Sequence, residues 1–115
     1  MKLKHKIIDL LPTDIQLEVF IGDKKEIVKK MKGECGKKKS YWKEVVGDAP
    51  CVDMSPKGNH IYMFLTDFDA QTIVHESVHV SWYLDDIVGL NLNYDSQETQ
   101  AYMVDYVFGE IMKMK

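Results

Sequence analysis

The chain has 115 residues, of which 45% are hydrophobic and 29% are charged, and its formal net charge is −3. This length and composition predict a single globular domain with a modest core of its own, and they exclude a disordered or fibrous chain. The small negative charge gives no general attraction to nucleic acid, and no stretch is long and apolar enough to span a bilayer. Neither a nucleic acid nor a membrane is therefore expected as a partner.

The beginning of the chain does not resemble a secretory signal. The apolar run at residues 7–11 is short, and no cleavage-like sequence comes after it. In a chain without such a signal, two cysteines such as Cys35 and Cys51 are more often reduced than bridged. These features predict a protein that acts in a cytoplasm.

The first half of the chain predicts two strands and one short helix. Residues 15–21 alternate between apolar and other side chains, as a half-buried strand does. Asp23 and Glu26 have the spacing of a capping box, and they begin a basic helix that runs to Met31 and is expected on the surface of the domain. After a loop with two glycines and three consecutive lysines, residues 41–46 predict a second strand.

Residues 60–66 have the strongest strand pattern in the chain. The segment is apolar on both faces, which predicts packing on one face and a partner or substrate near the other. Asp67 or Asp69 is placed to cap the helix after it.

That helix carries His75, Glu76 and His79 in a His-Glu-x-x-His pattern. Histidines four residues apart lie on one face of a helix, about 6 Å apart along its axis, so both can bind one cation. Glu76 lies beside His75, where a carboxylate can act as the base for a water at the metal. The alternative is that both histidines are ordinary surface or core residues.

A second helix supplies a candidate third ligand. Gly89 is expected to end the first helix, and Asp95 or Ser96 to cap the second after a short connection. Catalytic zinc generally has three protein ligands, and a second helix returning antiparallel is expected to bring Glu98, in its first turn, back to the metal face. The alternative for Glu98 is a capping box with Asp95.

His75-Glu76-x-x-His79, an interval of 18 residues, and then Glu98 in Glu-x-x-Ala-Tyr resemble the gluzincin clan of zinc metallopeptidases. The resemblance covers about residues 60–115. It is greatest to the minimal gluzincins and to short metallopeptidase-like proteins of phages and mobile elements. It implies a Zn²⁺ cofactor bound by His75, His79 and Glu98, with Glu76 as general base and acid.

Two features depart from the pattern of the larger gluzincins. Those proteins have an aspartate four residues after the glutamate ligand, and here that position is Tyr102. They also have a downstream histidine that stabilises the oxyanion, whereas no histidine comes after His79 in this chain. Tyr102 or Tyr106 is then a candidate catalytic donor to the oxyanion, although aromatic residues at helical spacing more often serve packing.

Together these features predict an α+β fold, a zincin-like domain of residues 1–115 with a three-stranded sheet packed on the metal helix and the glutamate helix. The predicted function is a zinc-dependent peptidase acting on a peptide or protein substrate. If strand 60–66 lies at the edge of the sheet above the zinc, the resemblance implies that an extended substrate adds along it. The alternative is a catalytically silent zinc-binding regulatory or interaction protein of a phage or mobile element. If the chain is phage-encoded, it is expected to act in the host cytoplasm.

Overall fold

The structure is a computed structural model that describes residues 2–11, 13–47, 50–54, 60–89 and 97–115. These residues form an α+β domain with one mixed sheet, four strands and four α-helices. The strands are β1 (Lys4–Asp9), β2 (Gln16–Ile21), β3 (Cys51–Met54) and β4 (His60–Leu65). The helices are α1 (Lys24–Met31), α2 (Lys39–Val46), α3 (Ala70–Val88) and α4 (Gln97–Met112), with a short 3₁₀ turn, Glu34–Gly36, between α1 and α2.

The described sheet has four strands in the order β1-β2-β4-β3, so the prediction of three strands was wrong. β1 is antiparallel to β2, β2 is parallel to β4, and β3 is antiparallel to β4. The sequence pattern missed β1 because this edge strand buries only Ile8 fully, while Ile7 is 49% exposed. The strands predicted at residues 15–21 and 60–66 correspond to β2 and β4.

Alternate side chains of β2 and β4 enter two separate cores. One core lies between the sheet and α3 and α4, and its strand residues include Leu17, Val19, Ile61, Met63 and Leu65. The other lies between the sheet and α1 and α2, and it contains Phe20, Tyr62 and Phe64. Helices on both faces therefore explain the continuous apolar run of β4, and they leave neither face of this strand open to the expected partner.

Residues 41–46, predicted as a strand, lie in α2. The valine pair Val45-Val46 imitates a strand, but Trp42 and Val46 are four residues apart and lie on one buried helix face. The Trp42 ring packs edge-on against Tyr62 and Phe64, with centroid distances of 5.8 Å and 6.4 Å. Packing in the aromatic core between the sheet and α1 and α2 therefore stabilises the helical conformation of this segment.

The predicted helix ending at Met31 is confirmed as α1, a helix with one exposed face and one buried apolar stripe. Ile27, Val28 and Met31 are all buried in the aromatic core. Asp23 precedes the helix without a side-chain capping hydrogen bond, so the capping box does not form. Packing on the sheet, rather than capping, holds α1 in place.

We expect Trp42→Ala to reduce the free energy of unfolding by about 3–5 kcal/mol, because it opens a cavity between α2 and the rings of β4. Urea denaturation monitored by circular dichroism measures the change. Glu44→Ala, at an exposed position of the same helix, is the matched control and should leave the unfolding midpoint nearly unchanged. Equal midpoints for the two variants would contradict this packing of α2.

Candidate metal centre

The ends of α3 fix the helix that carries the histidine motif. Asp69, one of the two predicted caps, accepts hydrogen bonds on Oδ2 from the backbone N–H and the Oγ1 hydroxyl of Thr72, both at 3.1 Å. Gly89 ends the helix in the left-handed conformation, with φ of 78°. Both predicted ends of the metal helix are therefore confirmed, and His75 lies in its second turn.

The two histidines of the motif lie side by side. The ring centroids of His75 and His79 are 5.0 Å apart, with an interplanar angle of 69°. The His75 side chain is 70% exposed, whereas His79 is half-buried with its ring edge-on to Trp82 at 5.8 Å. Two neighbouring imidazoles, one of them open to solvent, are chemically suited to share a cation such as Zn²⁺.

Glu76 is buried beside the first histidine of the motif. It is only 6% exposed, and its Oε1 lies 4.0 Å from His75 Nε2. Burial raises the pKa of the Glu76 carboxyl above its ordinary value, while the imidazoles of His79 and His75 act in the opposite direction. The result is a buried carboxylate held beside two imidazoles, as expected for a base at a metal site.

A cavity of about 370 Å³ opens beside His75 and Glu76. Its walls come from the residue before β3, from the connection between β4 and α3, and from the first two turns of α3. The lining residues are Pro50, Asp67, Asp69, Gln71, Thr72, His75 and Glu76. Sequence reasoning identifies Asp67 and Asp69 only as helix caps, because the sequence alone gives no indication that residue 50 lies across the cleft from them.

Tyr83 is a further site residue to which the sequence pattern assigns no role. Burial raises the pKa of its phenol, and the negative charges of Asp53, Glu76 and Asp86 raise it further. The raised pKa keeps the phenol protonated, so it is a hydrogen-bond donor on the same helix as Glu76. The available signal was the seven-residue interval from Glu76, which is two helical turns.

Cys51, at the start of β3, is a neutral thiol whose pKa is affected by the charge of Glu76. Burial, together with the charges of Glu76 and Asp53, raises its pKa to about 11. Its Sγ donates to the carbonyl oxygens of Val45 and Val46, at 3.4 Å and 3.6 Å. Because only the thiolate is a good nucleophile or metal ligand, these contacts favour a structural role for Cys51.

The direction of α4 determines where Glu98 lies. The Lys4 ammonium donates to the Met114 carbonyl at 2.7 Å, at the end of the sheet where α3 begins. The Tyr106 hydroxyl donates to the Asp9 carbonyl at 3.0 Å, at the opposite end of the sheet. α4 is therefore antiparallel to α3, and Glu98, two turns before Tyr106, lies towards the end of α3.

The structure brings His75 and His79 together but does not place Glu98 with them. No group of three His, Cys, Asp or Glu side chains within the described ranges is arranged to hold a metal ion. An antiparallel return puts the first turn of the second helix beside the last turn of the first, whereas the histidines lie in the first half of α3. Tyr102 is 67% exposed and does not line the cavity beside Glu76.

Residues 90–96, which connect α3 to α4, lie outside the described residues. The predicted caps Asp95 and Ser96, and the capping box of Asp95 with Glu98, are in or depend on this segment. Glu98 as a zinc ligand and Glu98 as a cap therefore both stay predictions.

Comparison of the chain with protein-family models, with curated proteins and with solved structures gave no match in any of the three. The resemblance to gluzincins therefore rests on the motif residues themselves. Among the described helices, none is both long and apolar enough to cross a membrane. The fold and the site together define an α+β domain in which two neighbouring histidines and a buried glutamate lie on one helix, with His75 and Glu76 lining a cleft.

A second polar pair of α3 lies away from the histidine face. Ser81 and Asp85, one helical turn apart, are 1% and 5% exposed. Within the described part of the chain, Ser81 Oγ and Asp85 Oδ2 have no hydrogen-bond partner. Burial, together with the charge of Asp86, raises the pKa of the Asp85 carboxyl, because the ionised form loses its solvation there.

We expect Asp85→Asn to increase the free energy of unfolding at pH 7 by about 1 kcal/mol, because it removes a poorly solvated buried charge. A raised folded-state pKa means that wild-type stability falls as the pH rises through that pKa. The gain should therefore be present at pH 7 and disappear below about pH 4, where the carboxyl is protonated in both states.

Urea denaturation of both proteins between about pH 3 and pH 7 measures this difference. Asp105→Asn, at an exposed position of α4, is the control and should show no comparable dependence. A gain for Asp85→Asn that is the same at every pH would contradict the burial of an ionised Asp85.

Proposed function

We propose that this protein is a zinc-dependent peptidase centred on His75, Glu76 and His79. The observation that carries the proposal is Glu76, a 6% exposed carboxylate that borders a cavity and has two imidazoles as its neighbours. Burying a carboxylate is unfavourable unless a positive partner compensates it. A perturbed acidic group in a cleft is typical of functional sites.

His75 and His79 are the proposed zinc ligands on α3, and Glu98 is the proposed third. The donor set of two imidazoles and one carboxylate suits zinc in its catalytic form. Binding of Glu98 requires the first turn of α4 to move from its described position towards the histidine face. When bound, zinc would lower the pKa of a water to about 7 and polarise a substrate carbonyl.

The protein's own part in the reaction is proton transfer and positioning. Glu76 takes the proton of the attacking water and later donates it to the leaving nitrogen of the peptide bond. Burial raises the pKa of this carboxyl, and a more basic carboxylate accepts a proton more readily. We propose a tyrosine phenol as the donor to the developing oxyanion, either the predicted Tyr102, which is 67% exposed, or Tyr83, whose pKa is raised in part by the charge of Glu76.

The location of the substrate differs from the one expected from the sequence. β4 is hydrogen-bonded to β2 on one side and to β3 on the other, so a peptide cannot add along residues 60–66. β3 is the edge strand of the described sheet, and Cys51 at its start lies near Glu76. We propose that an extended peptide adds to the outer edge of β3 and crosses the cleft beside His75.

We expect Glu76→Gln to retain zinc and to lower the rate of peptide cleavage by roughly 100-fold or more, because glutamine cannot accept the proton. Zinc content is measured by atomic spectroscopy, and cleavage by mass spectrometry of a denatured protein mixture with and without chelator. Glu44→Gln, exposed on α2, is the control for loss of one carboxylate. Wild-type cleavage by Glu76→Gln would remove Glu76 from the mechanism.

We expect Glu98→Gln to weaken zinc binding sharply. Because zinc binds the folded site, the variant should also lose the increase in melting temperature that added zinc gives the wild type. His75→Ala should do the same. Asp105→Asn on the same helix is the control, and it should keep both zinc and melting temperature. If Glu98→Gln binds zinc as tightly as the wild type does, Glu98 is a helix cap and not a zinc ligand.

One observation favours a second candidate, a catalytically silent zinc-binding regulatory or interaction protein. Among the described residues Glu98 is not grouped with His75 and His79, as a complete catalytic site would require. The two candidates differ in one measurement. Chelator-sensitive cleavage products support the peptidase, whereas zinc-dependent stability with no cleavage under any condition supports the regulatory protein.

A further inference from the structure

A groove of about 660 Å³ lies on the helix layer that covers the other face of the sheet from α3. It is bounded by α1 and α2, and six lysines line it. They are Lys24, Lys25, Lys29 and Lys32 from α1 and its C-terminal end, and Lys39 and Lys43 from α2. The groove is separate from the candidate metal centre, and binding of a ligand in it does not depend on the proposed peptidase activity.

Five of these lysines have little compensating charge nearby. Glu26 is the only acidic residue in the described lining, and no salt bridge between described residues involves Lys25, Lys29, Lys32, Lys39 or Lys43. By contrast, Lys6 and Lys113 both contact Glu110, at 3.4 Å and 3.0 Å. The groove therefore concentrates positive charge on a protein whose net charge is −3.

The placement of these lysines also opposes helix stability. Lys24 and Lys25 lie in the first turn of α1, and Lys39 begins α2 directly after Lys38. The N-terminal end of a helix carries a partial positive charge, so cations there are unfavourable and anions are favourable. Two lysine-bearing helix starts beside one groove make an arrangement that a bound anion stabilises.

We propose that the α1–α2 groove binds an acidic segment of another polypeptide. Val28 lies at the floor of the groove, and the aliphatic stems of the lysines offer apolar contact beneath the ammonium groups. A peptide that alternates acidic and apolar residues matches both features. α1 has 8 residues, so the groove is about 12 Å long and takes about four residues of extended chain.

The same lining disfavours a nucleic acid as the occupant. Specific phosphate recognition commonly uses the bidentate guanidinium of arginine, and no arginine occurs in the chain. Single-stranded nucleic acid also needs aromatic side chains for base stacking, and the described lining has none. The apolar stems would have no partner on a phosphodiester backbone.

The test uses the full chain and a fluorescein-labelled octapeptide of alternating glutamate and valine. Binding is measured by fluorescence anisotropy. The buffer contains about 0.1 M salt, in which the Debye length is about 10 Å. The matching glutamine–valine octapeptide and the oligonucleotide pentathymidylate, which has about the same charge, are the comparison probes. The protein variants are Lys29→Glu/Lys43→Glu in the groove and, as a control of equal charge, Lys30→Glu/Lys115→Glu outside it.

We expect the wild type to bind the acidic peptide more tightly than either comparison probe. The groove variant should lose about tenfold or more in affinity, and the control variant should stay within about twofold of the wild type. Circular dichroism confirms that both variants are folded, since all four positions are exposed. The proposal is overturned if the acidic peptide does not bind, if both variants lose affinity equally, or if pentathymidylate binds more tightly than the peptide.

Discussion

The burial of β2 and β4 on both faces is the constraint on which the rest of the structure depends. Since alternate side chains of these strands point to opposite faces, each face must be covered by helices. α3 contributes Ile73, Val80 and Leu84 to this cover, and these residues lie on one side of the helix. The rotation of α3 is thereby set, and at about 100° per residue the motif histidines must face away from the core. Apolar residues that touch no ligand thus orient the candidate metal site.

Features that depend on one helix or one strand could be predicted from the sequence. The start of α3 at Asp69, its end at Gly89 and the close approach of His75 to His79 result from capping chemistry and helical spacing. The strand β4 could be predicted equally well from its run of five consecutive apolar residues, all of which are buried in the structure. In each case the decisive residues lie within one element or at its ends.

Features that depend on contacts between distant elements could not be predicted. The helical state of α2 depends on the packing of Trp42 against rings of β4, and neither helix propensity nor the valine pair indicates it. The place of Glu98 depends on the contacts of α4 with β1, which are about 100 residues apart in sequence. Pro50 lines the cavity, and Cys51 follows it, because β3 pairs with β4. This strand pairing also cannot be deduced from one sequence.

The attachment of α4 to β1 has a consequence for how the sheet meets other chains. An edge strand exposes backbone groups to which a foreign strand can add, and such addition leads to aggregation. On β1 the lysines Lys4 and Lys6 reach across to the end of α4, and the Asp9 carbonyl is occupied by the Tyr106 hydroxyl. This edge therefore resists strand addition, because its lysines carry charge and because the Asp9 carbonyl already accepts a hydrogen bond. Of the two edges of the described sheet, β1 is therefore the protected one, and β3 is the one left for strand addition.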